Sequence, residues 1–191
     1  MLFMRTLKLG LVIVVAGLTV AMVTAQDDAE TQAKIESAMS AAPMTIAQDA
    51  TILDWAFDAD GKFIVLREGT NGWSCLPDDT GTSIDDPMCH DEMFMEWLYA
   101  LIAGEEPNIT APGFSYVLQG GEALSNSDPS ASEPAEDYWV SSSPYMMFVL
   151  PPEVDLSELS TDGSSDGPFV MYAGTPYQHI MVPVGDEERD E

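Results

Sequence analysis

Cys75 and Cys89 are the only two cysteines in 191 residues, and they constrain the chain more than any other feature. They lie in the stretch Gly69–Gly104, with Trp73 and Trp97, which passes from strand-like residues through an acidic loop into an amphipathic segment. Their spacing is not Cys-x-x-Cys, which excludes a thioredoxin-like redox pair. In an exported chain two such cysteines favour a disulfide over a metal pair. Closing a loop of about 15 residues stabilises a fold by about 3 kcal/mol in the chain-entropy account. A Cys75–Cys89 bridge is therefore expected to tie a strand to the start of a helix.

Export is itself read from the N-terminus. Arg5 and Lys8 precede the uncharged apolar run Leu9–Val23, and Val23-Thr24-Ala25 places small residues before Gln26. This is the three-part pattern of a secretory signal peptide, residues 1–25, in a run short of the roughly 20 residues that a spanning helix needs. Cleavage near Ala25 would leave 166 of the 191 residues in a periplasmic or extracellular protein, enough for a single domain over 26–185. The charged tail 186–191 is expected to be disordered.

The chain between these ends predicts an α+β fold: an antiparallel sheet of about six short strands with one main amphipathic helix packed on it. Leu53, Trp55 and Phe57 alternate at period two, Asp60-Gly61 marks a turn, and Lys62–Arg67 forms the return strand. Trp73-Ser74-Cys75 is expected to extend this into an antiparallel meander. The best helix runs from Asp91 to Ala103, with Phe94, Trp97, Leu98, Leu101 and Ile102 as its stripe and Gly104 as its stop. Thr31–Ser40 reads as a short helix after a frayed start. Further strands are expected at 113–119, 145–150, 168–173 and 179–184. Gly120–Asp137, rich in Ser, Pro, Gly and acids, reads as a flexible surface loop.

Motifs that carry chemistry are sparse. The chain has no Gly-x-Ser-x-Gly elbow, no His-Glu-x-x-His, no Walker A loop and no Gly-x-Gly-x-x-Gly, and no cofactor is implied. Asp58-Ala59-Asp60-Gly61 fails as a calcium loop, because Ala56 and Arg67 stand where acids are required. Asn108-Ile109-Thr110 matches a glycosylation acceptor. His90 and His179 are the only histidines, so a hydrolase would have to use one of them. Pro176 and Pro183 suggest instead that His179 sits on an exposed edge strand. Met88, Cys89, His90, Met93 and Met95 form a soft-metal pattern suited to Cu(I), which a disulfide at Cys89 would dismantle. Asp78, Asp79, Asp85, Asp86, Asp91 and Glu92 crowd the segment 78–92, where a divalent cation would relieve their repulsion.

Three segments taken in order, LREGTNGWSC (66–75), YVLQGG (116–121) and GTPYQHIMVPV (174–184), resemble a family of small exported bacterial proteins. The resemblance spans most of the mature chain. It implies a bacterial, exported origin and carries over no catalytic or binding residue. The first functional expectation is thus a non-catalytic binding or interaction domain; the alternatives are the hydrolase and the divalent-cation binder named above.

Charge narrows the partners. The chain carries 33 acidic and six basic residues, a net charge of −27. Loss of Arg5 and Lys8 with the signal would leave four bases and a charge of −29. Such a surface repels nucleic acid and anionic lipid and attracts inorganic cations or a basic partner. Self-repulsion of this size should be screened by salt: the Debye length falls from about 30 Å at 0.01 M to about 3 Å at 1 M. The melting temperature is expected to rise across that NaCl range; a flat profile would mean that the charges are already neutralised locally.

Overall fold

A computed structural model describes residues 28–164 and 167–185. The expected signal peptide and acidic tail lie outside the described residues. In chain order the elements are helix α1 (28–40), α2 (Met44–Ala47), strands β1 (Thr51–Phe57), β2 (Phe63–Arg67), β3 (Ser74–Leu76) and β4 (Met88–His90), then helix α3 (Glu92–Ala103). They continue as β5 (Gly113–Val117), β6 (Gly121–Ala123), β7 (Trp139–Ser141), β8 (Tyr145–Val149), β9 (Phe169–Met171) and β10 (His179–Pro183).

Among the described residues eight strands, rather than about six, form one sheet in the order β2-β1-β3-β4-β5-β8-β10-β9, and β6 and β7 form a separate pair. The mixed α and β composition agrees with the sequence reading; the expected antiparallel meander does not. β3 passes β2 and pairs with β1 in parallel, Thr51 opposite Ser74 and Ile52 opposite Cys75. The crossing depends on close backbone approach. A Cβ on Gly69 would lie 2.1 Å from the Thr51 nitrogen, so only glycine fits where the chain turns over the start of β1. The Thr70 amide donates to the Asp49 carbonyl (2.8 Å) and the Thr51 amide to the Trp73 carbonyl (2.9 Å), which holds the crossing.

Successive residues of a strand face opposite sides of the sheet, and both sides here are covered. On one side Leu53, Leu76, Val117, Met147, Val149 and Met181 pack with Phe94, Met95, Trp97 and Leu98 of α3. On the other, Ile52, Cys75 and Cys89 pack with Ala38, Ala41, Ala42, Ala47 and Ala50, supplied by α1, α2 and the turns after them. The helix expected over 31–40 is longer and more important than its sequence suggested. Its Ala38, with Ala41 and Ala42 just after it, joins the second layer, and small side chains let the backbone approach the disulfide. In β1 the expected alternation holds for buried Leu53, weakens at half-buried Trp55 and ends at exposed Phe57, beyond an irregularity in the β1–β2 register.

α3 forms where the sequence predicted it. The Asp91 carboxylate caps it, accepting from the Phe94 amide at 2.8 Å and also from the Phe114 amide of β5 at 2.9 Å. Such a cap contributes about 1 kcal/mol, and here it also ties the helix to the sheet. Gly104 ends the helix in the left-handed region, φ 67°. Ile102 is exposed, whereas Met95 and Ala100 are buried in its place. Gly120–Asp137, read as a surface loop, contributes β6 and buries Ser125. Among the described residues no helix is long and apolar enough to cross a membrane.

The disulfide joins Cys75 and Cys89, direct partners in the β3–β4 ladder. Reduction, or the pair Cys75→Ala and Cys89→Ala, is expected to lower the unfolding free energy by about 3 kcal/mol, read by urea denaturation. An unchanged midpoint would mean that the ladder alone holds the loop.

Candidate functional site

His179 does not lie on an edge strand. β10 pairs with β8 on one side and β9 on the other, so β9 is the edge, and His179 is 2% exposed. Its Nδ1 lies 3.0 Å from the Tyr177 carbonyl, and its ring meets those of Trp97 (4.9 Å) and Tyr172 (5.4 Å) edge-on. His90 is 0% exposed and stacks on Phe94, with centroids 4.9 Å apart and planes 4° from parallel. Neither His90 nitrogen has a hydrogen-bond partner, nor does Oγ of Ser115, its register partner on β5. Burial lowers His90 to about 3; burial, opposed weakly by the Tyr177 carbonyl, lowers His179 to about 4. Both imidazoles are thus neutral packing groups flanking the Phe94–Trp97 face of α3. A general base must come within hydrogen-bonding reach of a substrate proton, and burial keeps both away from one.

The soft-metal pattern is not assembled either. Cys89 belongs to the alanine-lined face and is oxidised, whereas its neighbour His90 points to the α3 face. The carboxylates of 78–92 serve their own loop. The Asp86 carboxylate, 1% exposed, accepts from the Asp79 amide at 3.1 Å, and Asp78 accepts from the Asp86 amide at 3.0 Å. Burial, with Asp78 beside it, pushes Asp86 up to about 6. Asp91 caps α3, and Glu92 is exposed on that helix. Among the described residues no group of three or more His, Cys, Asp or Glu is placed to hold a metal ion.

What the fold does assemble is an acidic cleft of about 510 Å³ between α1, β1 and the β3–β4 loop. Glu30, Asp54, Asp78, Asp79 and Asp85 line it around Trp55, with Lys34 as the one basic side chain among them. Lys34 is already paired, its Nζ 2.7 Å from Asp54 Oδ2 and 3.8 Å from Glu30 Oε1. Trp55 Nε1 donates to the Pro77 carbonyl (2.8 Å) and the Asp78 amide to Ser37 Oγ (3.0 Å), so the loop is fastened to both β1 and α1. Burial and the neighbouring Asp78 charge raise Asp85. The sequence reading named Asp78, Asp79 and Asp85 but missed Glu30, Lys34, Asp54 and Trp55. The Glu30–Lys34 spacing of one helical turn was a local signal; nothing local brought Asp54 and Trp55 to the acidic loop.

The buried histidines make stability depend on pH. Each has a folded value below the ordinary 6.5, so its contribution is complete above that pH and is lost as pH falls toward about 4 for His179 and about 3 for His90. Asp86 acts oppositely, because its raised carboxyl takes a proton in the folded state first, between about 6 and the ordinary 3.8. Asp85 and Asp91, also raised by burial, act in the same sense as Asp86, but the two histidines are displaced further from their ordinary value, so stability should fall on acidification. His90→Leu removes one titrating group at similar volume. Denaturant melts of that variant between about pH 6 and pH 4 should fall less steeply than wild type, by about 1.4 kcal/mol per pH unit. Equal slopes would mean that His90 titrates as in water.

Compared with known proteins, the chain matches no protein-family model, no curated protein and no solved structure.

Proposed function

We propose that this chain is an exported, non-catalytic binding domain that takes a cationic, amine-bearing ligand in the cleft around Trp55. The carrying observation is the lining: five carboxylates face a single lysine that two of them already engage, in a cavity of about 510 Å³. Like charges gathered in a concave, partly apolar site focus the field and draw in cations. An indole beside them adds cation–π attraction of about 0.5–1 kcal/mol at an exposed site. A polyamine or an arginine- or lysine-rich peptide has both the charge and the apolar stem for such a surface. Export is supported by the N-terminal pattern of residues 1–25, by the resemblance to small exported bacterial proteins, and by a disulfide of the kind that persists in oxidising compartments.

Spermidine titrated into the mature chain is expected to raise its melting temperature and to perturb tryptophan fluorescence saturably, more strongly at low salt than at high. Glu30→Gln with Asp85→Asn, both exposed positions, should weaken binding about tenfold or more, equivalent to about 1.4 kcal/mol. No saturable response to spermidine or to an arginine-rich peptide, or a response indifferent to these substitutions, would overturn the assignment.

A further inference from the structure

A second cleft of about 510 Å³ lies between β7 and the segment 161–164 and shares no lining residue with the acidic one. We propose that it binds a neutral pyranose sugar. This site is independent of the cation-binding reading.

Its lining combines apolar, donor and acceptor surface with no basic side chain. Tyr138 (36% exposed) and Val140 (46% exposed) stand on one wall, beside the Trp139 indole, whose Nε1 donates to the Gly163 carbonyl at 3.2 Å. Asn126, Asp137, Asp162 and Ser164 supply the polar groups. A pyranose presents a face of C–H groups that packs on aromatic rings and a rim of hydroxyls that each donate and accept. The absence of lysine and arginine from the lining argues against anionic ligands.

One buried atom of this lining lacks a partner. Asn126 Nδ2 donates to the Thr161 carbonyl at 2.9 Å, which fixes the orientation of the amide, and Asn126 Oδ1 is left buried without a donor. Such an orphaned acceptor costs about 1–3 kcal/mol, and a small outward shift of the Asn126 amide, which lines the cleft, would let a ligand hydroxyl recover it. The space beside it depends on glycine: a Cβ at Gly163 would sit 3.2 Å from Asn126 Oδ1 and 2.9 Å from Trp139 Cδ1.

The polar frame is held in place before any ligand arrives. Asp137 accepts from Ser125 Oγ (2.8 Å) and Ser127 Oγ (2.6 Å), and its carbonyl accepts from the Asn126 amide (2.9 Å). Asp162 accepts from the Ser164 amide (2.9 Å) and from Ser164 Oγ (2.6 Å). These serine bonds hold both carboxyls below the usual carboxylate range.

The four tryptophans give four indole N–H signals in an ¹H–¹⁵N spectrum, that of Trp139 being identified by its loss in Trp139→Phe. Methyl β-glucopyranoside, methyl β-galactopyranoside and N-acetylglucosamine are titrated up to about 100 mM, and at least one should shift the Trp139 signal saturably, with a Kd of about 1 mM. The Trp55 signal should stay in place. Tyr138→Ala, an exposed change that leaves the core intact, should weaken the response about tenfold or more. Gly163→Ala should abolish it. No saturable shift with any of the three sugars, a shift unaltered by Tyr138→Ala, or saturation of the Trp139 signal by spermidine in place of sugar would each overturn the proposal.

Discussion

The bridge between Cys75 and Cys89 joins two three-residue strands, β3 and β4, too short to hold a register firmly by themselves. Much of the molecule is built outward from that pair. The sulfurs face the alanine layer of α1 and α2, while the next residues, Leu76 and His90, face α3. Asp91 follows immediately and caps α3, bonding β5 with the same carboxylate. One covalent bond thus aligns two cores and positions the main helix. The acidic β3–β4 loop is its direct by-product, since a bridged hairpin must send its connection outward toward α1.

A chain with 33 acids and six bases cannot satisfy its carboxylates with ion pairs. Among the described residues the ion pairs both involve Lys34. The carboxylates turn to backbone amides instead. Asp58, Asp79, Asp128, Asp155 and Asp162 each accept from the amide two residues on, the local turn that aspartate forms readily. This chemistry stiffens the long connections without positive charge. Five of the carboxylates gather around Trp55, where the fold brings α1, β1 and the β3–β4 loop together.

The local features were legible in advance. α3 is marked by the spacing of Phe94, Trp97 and Leu98, by Asp91 before it and by Gly104 after it, and all of these signals act within a few turns of one another. The β1–β2 hairpin follows from alternation and Asp60-Gly61, and the disulfide from there being only two cysteines. The errors share a cause. β4 is three residues long and carries no periodic signal; β3 looked like the next strand of a meander because nothing near it encodes a parallel return to β1. His179 looked exposed because flanking prolines suit an edge, but β9, earlier in the chain, folds outside β10 and takes the edge itself.

Residue chemistry and short-range pattern determined by themselves the charge, the exclusion of the common catalytic motifs, the pairing of the cysteines and the main helix. Tertiary structure alone decided which face each residue meets. It buried both histidines against Phe94 and Trp97, separated Cys89 from His90 across the sheet, and gathered Glu30, Asp54 and Asp85 around one tryptophan. The physical reason is that burial and field are sums over neighbours contributed by distant segments. Strand order and the crossing at Gly69 set those neighbours, and no window of sequence contains them.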